Sequence, residues 1–197
     1  MAVSAFTALV AGWMLPASGR PRPAPQASGY HLLKKFPVGG EGGWDYLTVD
    51  SKMRRLYVSH ATRLVVLDAD SGERVGEVLD TPGIHGIALA SEFGRGFTTN
   101  GRGNNVTIFD LKTLKPIQQV ATGENPDAVL YEPLTHRVFT FNGRSHDATA
   151  LDAAGGTVAG TVALGGKPEA GVADDKGRIY VNIEDTSEVV ELDARAL

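Results

Sequence analysis

An all-β chain of repeated four-stranded units follows from three observations on this 197-residue sequence. The first is a period. Leu67-Asp68, Phe109-Asp110, Leu151-Asp152 and Leu192-Asp193 place an apolar residue and an aspartate at intervals of 42, 42 and 41 residues. Tyr57, Phe97, Phe139 and Tyr180 recur at intervals of 40, 42 and 41, each with an arginine two positions earlier (Arg55, Arg95, Arg137, Arg178). The second is the texture between these marks: short runs rich in β-branched and aromatic residues, bounded by turn signals such as Asp68-Ala-Asp-Ser-Gly72 and Asp174-Asp-Lys-Gly177. The third is glycine, 24 of 197 residues, about 12% where ~7% is usual, as many tight turns require. Four short strands in about 40 residues is the signature of a β-propeller blade.

The period divides the chain into blades at residues 44–83, 84–124, 125–166 and 167–197. Strand A is expected at 46–49, 86–89, 128–131 and 170–173. Strand B is expected at 56–59, 96–99, 138–141 and 179–182, and strand C at 64–67, 106–109, 149–151 and 188–192. Strand D is expected at 74–79, 116–121 and 157–164, and residues 30–38 read as a spare outer strand ahead of the first blade. Several strands, such as Leu64-Val-Val-Leu67, are apolar on both faces, as sheets stacked between neighbours must be.

Residues 1–29 read as a signal peptide and a Pro-rich linker. The run 2–15 is apolar and ends at Pro16. It is shorter than the ~20 residues a stable membrane span needs and has the length of a secretory h-region. Ala17-Ser18-Gly19 supplies small residues for cleavage after Gly19, although no basic residue precedes the run. A periplasmic or secreted bacterial protein is expected.

Tyr57-Val-Ser-His60, Phe97-Thr-Thr-Asn100, Phe139-Thr-Phe-Asn142 and Tyr180-Val-Asn-Ile183 resemble the Tyr-Val-Thr-Asn signature of the YVTN-repeat β-propeller family, whose similar members include YncE-like exported bacterial proteins. His60 and Ile183 depart from the signature at its Asn position. The resemblance spans residues 30–197. It implies propellers of about seven blades, so that the four repeats here would form part of an incomplete ring; the alternative is a four-bladed propeller closed by the strand at residues 30–38.

Composition narrows the chemistry. Hydrophobic residues at 42% and charged residues at 21% exclude wholesale disorder. The absence of cysteine removes disulfides, thiol catalysis and thiolate metal sites. A net charge of −4 offers no basic footprint for nucleic acid, and the rim's main aromatic is Trp44. No nucleophile stands in a recognisable catalytic motif.

Antiparallel order puts the D–A and B–C loops of every blade on one rim. Asp45, His85, Asp127 and Glu169, spaced 40, 42 and 42, open strand A at the channel mouth of that rim. Three acids and an imidazole around a small opening suit a cation, an amine or a hydrogen-bonding ligand. The alternative is that each caps its own turn. Asn100-Gly-Arg102 and Asn142-Gly-Arg144 open consecutive B–C loops of the same rim, where paired arginines would take a carboxylate or phosphate. The arginines two before each aromatic are expected to pair with Asp50, Glu132 and Asp174. Asp68, Asp110, Asp152 and Asp193 read as turn formers on the opposite rim. These features point to a non-enzymatic propeller binding a small molecule or a protein at the channel-mouth rim. A dehydrogenase- or lyase-like enzyme using the acid/His mouth is the alternative, and single-stranded DNA binding a weaker third. The pattern names no cofactor.

Overall fold

A computed structural model describes residues 29–196. The expected signal peptide and most of the linker lie outside the described residues. Two compact units divide at Lys35, and every strand belongs to the second, Phe36–Leu197. Of the first unit, residues 29–35 are exposed and carry no strand.

The second unit holds four antiparallel sheets, each a simple meander. The first is β1 (Trp44–Asp50), β2 (Arg55–His60), β3 (Arg63–Asp68) and β4 (Arg74–Val78). The second is β5 (Ile84–Ala90), β6 (Arg95–Asn100), β7 (Asn105–Asp110) and β8 (Pro116–Ala121). The third is β9 (Pro126–Glu132), β10 (Arg137–Asn142), β11 (Asp147–Asp152) and β12 (Val158–Ala163). The fourth has three strands, β13 (Pro168–Ala173), β14 (Arg178–Ile183) and β15 (Glu188–Asp193). The first strands β1, β5, β9 and β13 lie against one another in order. Each sheet therefore contributes its innermost strand to one line of neighbours, as propeller blades do.

Burial explains the doubly apolar strands. In β6 and β10 all residues after the opening arginine are buried, because each sheet is sandwiched between two others. β14 alternates instead, with Ile179, Val181 and Ile183 facing the third blade and Tyr180 and Asn182 outward. Tyr57 meets Phe109 of the next blade with ring centroids 6.1 Å apart. Phe141 lies in a cluster with Phe139, Ile179, Val181 and Ile183. Close approach of inner strands needs glycine at one point. A Cβ on Gly86 would sit 3.0 Å from the Asp127 carbonyl oxygen and 3.0 Å from the Val129 nitrogen.

Two expectations are corrected. No strand forms over residues 30–38. Phe36 and Val38 instead pack on Val58, Val65, Leu67 and Leu56, covering apolar surface of the first blade that would otherwise meet water. The repeat arginines do not pair with Asp50, Glu132 and Asp174. Those carboxylates accept N–H groups of their own A–B turns: Asp50 from Lys52 and Met53 at 2.9 and 2.8 Å, Glu132 from Leu134 and Thr135 at 3.1 and 2.7 Å, Asp174 from Lys176 and Arg178 at 2.8 and 2.9 Å. Turn amides two to four residues away are fixed partners, which a flexible guanidinium is not. The arginines reach farther. Arg55 donates to the Leu111 carbonyl of the second blade and Arg137 to the Ala194 carbonyl of the fourth, so they tie blades together. Arg178 stays in its own sheet, 3.5 Å from Glu191 and 3.6 Å from Asp193.

The C–D turns follow expectation. Asp68 accepts from the Asp70 and Ser71 amides, Asp110 from Lys112 and Thr113, Asp152 from Gly155 and Asp193 from Arg195. The Thr113 amide and hydroxyl hold the Asp110 carboxyl below the usual carboxylate range, and Ser71 does the same for Asp68. A carboxyl depressed in the folded state contributes stability that is present above its unfolded pKa and lost as pH falls through the folded value. Asp110→Asn keeps an acceptor for the turn and removes that titration. Thermal midpoints taken from about pH 7 to about pH 2 should therefore fall less steeply at the acid end for the variant than for the wild type.

Candidate functional site

One backbone irregularity recurs at the start of every blade. In β1 the register passes from Trp44↔His60 to Leu47↔Val58, leaving Asp45 and Tyr46 opposite the single residue Ser59. In β5 it passes from Ile84↔Asn100 to Ile87↔Thr98, and His85 and Gly86 face Thr99. In β9 the pairs Pro126↔Asn142 and Val129↔Thr140 leave Asp127 and Ala128 opposite Phe141. In β13 the pairs Pro168↔Ile183 and Gly171↔Val181 leave Glu169 and Ala170 opposite Asn182. These are β-bulges, which re-aim a side chain out of the normal pleat. The first residue of each bulge is the acid or histidine of the series read from the sequence.

Three of the four converge. Asp45 Oδ2 lies 2.5 Å from His85 Nδ1, and Asp127 Oδ1 lies 3.9 Å from the same nitrogen. One ligand atom from each of the three falls within 4.8 Å of the others. Glu169 is the fourth member in sequence but stands apart from this group. Glu169 interacts with Glu184, which pairs with Lys167.

The electrostatics are those of crowded carboxylates. Burial raises the Asp127 pKa, with His85 opposing and Asp45 adding to the rise. Burial also raises Glu169, followed by the charge of Asp127 and the bond to Glu184. The Tyr46 hydroxyl, partly buried and facing Asp127, Glu169 and Asp45, is pushed up to about 12.

The turn-capping alternative has other occupants. The Asn125 amide donates to Asn104 Oδ1 at 2.8 Å, the Glu124 amide to Ser145 Oγ at 2.8 Å, and the Lys167 amide to Asp185 Oδ1 at 2.7 Å. Residues of the B–C loops thus cap these D–A turns, and Asp127 and Glu169 are left to face the mouth.

Beside the triad opens a cleft of about 470 Å³, lined by Trp44, Asp45, His85, Arg102 and Asn125 among others. Trp44 is half-exposed and stacks on the buried His60 at 3.7 Å with the rings 9° apart. Among the described residues the Arg102 guanidinium has no ionic partner, and Arg102 is exposed.

The remaining sequence candidates separate. Asn142 is fully buried; its Nδ2 donates to Asp147 Oδ1 at 2.6 Å and Thr149 Oγ1 at 3.0 Å, while Thr140 Oγ1 donates to its Oδ1 at 3.0 Å. Asn100 is buried among Thr98, Asn105 and Thr107 in the same manner. Both asparagines knit strands B and C inside their blades and do not face the rim. Their amides replace water with internal partners, which a buried amide requires. In the first blade the buried His60 takes this position, and among the described residues its Nε2 has no hydrogen-bond partner. Arg144 is exposed and stands apart from the cleft. Sequence reading missed Asn125 and the bulges. The available signal was phase: Asp45, His85, Asp127 and Glu169 keep the repeat period, whatever side strand alternation gives them.

No family model matches the chain, and no curated protein matches its sequence. Solved structures do. The chain is similar to hydrazine synthase of Kuenenia stuttgartiensis with a TM-score of 0.72 at 14% identity, over 85% of this chain and 49% of that one. It is also similar to the structure of U3-55K with a TM-score of 0.61 at 13% identity, over 78% of this chain and 53% of that one. Both are β-propeller proteins. The fold is a β-propeller. The chain spans about half the length of these two solved chains, and the likeness is one of architecture.

Proposed function

We propose that this β-propeller is a non-enzymatic, exported binding protein that takes a small molecule at the rim of its D–A and B–C loops. The observation that carries this reading is the cleft at the mouth, where a half-exposed indole, a guanidinium without an ionic partner among the described residues and the Asp45–His85 pair line one cavity of about 470 Å³. Concave sites with an apolar wall and a few convergent polar groups are where ligands bind. Arg102 suits a carboxylate or phosphate, Trp44 a flat or apolar body, and Asp45 an amine or other donor. The preferred ligand is therefore a small zwitterion or an anion carrying a donor group. Export is supported by the apolar run 2–15 and the small residues that follow it.

Equilibrium titration of the full chain with a panel of amino acids, small amines and small carboxylates tests this. A panel member should bind saturably, and Arg102→Gln and Trp44→Ala should each weaken it at least about tenfold, on the scale of one lost charged hydrogen bond or stacking contact. Arg144→Gln should leave binding unchanged. Binding unaffected by the Arg102 and Trp44 variants, or no binding across the panel, overturns the reading.

The short Asp45–His85 contact favours a second reading, a propeller enzyme in which Asp45 orients His85 as a general base. Turnover of a bound panel member, lost in His85→Gln, separates the two.

A further inference from the structure

We infer that the mouth of the propeller holds a divalent transition-metal ion between Asp45 Oδ2, His85 Nδ1 and Asp127 Oδ1. The inference rests on reading the rim as a binding site, and it names an inorganic ligand for the Asp45–His85 side of the same cleft.

Geometry is the first ground. Donors about 2.1 Å from one metal ion are separated from each other by about 3.0–3.6 Å at the angles of tetrahedral or octahedral coordination. The present separations are 2.5 Å for His85–Asp45 and 3.9 Å for His85–Asp127, with all three donors within 4.8 Å. Side-chain rotations of a few tenths of an ångström to about one ångström bring them to coordination distance. Binding would replace the His85–Asp45 hydrogen bond with two metal bonds.

Support is the second ground. Each donor is the first residue of a bulge on a different inner strand, β1, β5 and β9, and these strands pack side by side. The sheets hold the donors in place, as a metal site on a rigid scaffold requires. The Thr99 hydroxyl also bonds the Asp127 carbonyl and accepts the Gly86 amide at 2.8 Å, so it ties the second and third bulges together.

The third ground lies behind the imidazole. A Cβ at Gly101 would stand 2.8 Å from His85 Nε2 and 3.1 Å from Asn125 Oδ1. Glycine at 101 thus leaves room for the edge of the His85 imidazole, which lies against the start of the B–C loop.

Donor chemistry sets the class of ion. One imidazole and two carboxylates favour Zn²⁺, Mn²⁺ or their first-row neighbours over Ca²⁺ and Mg²⁺, which take oxygen ligands. Two carboxylate charges balance the ion. Three protein ligands leave coordination positions open toward the cleft.

The test uses the tag-free full chain, freed of metal with a chelator, and titrates it separately with Zn²⁺, Mn²⁺ and Ca²⁺ by calorimetry. One transition-metal ion per chain should bind, with Ca²⁺ weaker. His85→Gln and Asp127→Asn should each lower affinity by at least about tenfold, since even indirect partners of metal ligands have effects of that size. Arg144→Gln, exposed and outside the cleft, should bind the ion like the wild type, and the organic panel titrated against the metal-free chain reads the other site separately, so that failure of the organic-ligand reading and failure of the metal site are told apart. Far-UV circular dichroism without metal checks the fold of each variant, and Asp127→Asn, which preserves side-chain shape, keeps the test valid if His85→Gln misfolds. The absence of saturable binding overturns the inference, as does binding undiminished in both His85→Gln and Asp127→Asn.

Discussion

Phe141→Ala is expected to lower the stability of this propeller by about 3–5 kcal/mol, the range for emptying a buried aromatic site in a close-packed core. Phe141 is fully buried on β10 and lies in the cluster that joins the third blade to Ile179, Val181 and Ile183 of the fourth. Its ring fills the space over Gly171, where a Cβ would come within 2.5 Å of it. The backbone on the far side is the inner strand of the next sheet and has little freedom to collapse into the hole. Blades draw much of their stability from contacts with their neighbours, so the loss should be felt between the blades first. Denaturant unfolding measures it, and hydrogen exchange should show β13 and β14 losing protection more than β2 and β3. A loss below about 1 kcal/mol would mean that the two sheets are not packed as described.

The second large effect is expected at Asn142. Removing its side chain takes a partner from the buried Thr140 and Thr149 and from the half-buried Asp147. Leaving a buried polar group unsatisfied costs roughly 1–3 kcal/mol, and Thr140 and Thr149 are buried beside it, so Asn142→Ala should fall within that range. Arg144→Ala, two residues on and exposed, should stay within about 0.5 kcal/mol of the wild type. Denaturation midpoints of the two variants, at unchanged slope, decide. Equal midpoints would remove the role assigned to the signature asparagine.

These two cases show what sequence spacing reveals about a repeat. Partners within one blade are written in the register. Asn142 and Asp147 face each other across β10 and β11, and the recurrence of apolar-Asp at the C–D turns marks the turn carboxylates directly. Partners between blades are not written locally. Nothing in the order of residues told that Arg55 would bond the Leu111 carbonyl 56 residues away, or that Phe36 and Val38 would cover the first blade instead of forming a strand. The mouth series was legible because one period carries a residue to the equivalent place on the next blade, as Asp45 and His85, 40 residues apart and in contact, illustrate. Its fourth member, Glu169, lies outside the group of three, although the charge of Asp127 still reaches it. The asparagines were placed on the rim because they end strand B. Their amides are satisfied by strand C residues both opposite and two positions further on, Asn105 and Thr107 for Asn100 and Asp147 and Thr149 for Asn142, a pairing that becomes visible only when the two strands are laid side by side.

The recurring bulge also separates what a blade is from what it offers. A residue inside a ladder must suit its cross-strand neighbour and the packing of its face, and most replacements there are felt by the fold. The extra residue at the start of β1, β5, β9 and β13 owes no such allegiance: histidine, aspartate and glutamate all occupy it while the adjoining strands keep the same pairing pattern. The four mouth positions therefore behave like interchangeable characters in a short word, each written by a different repeat. Selection, or a protein engineer, can respell that word one letter at a time and alter what the mouth recognises while the grammar of the sheets stays intact.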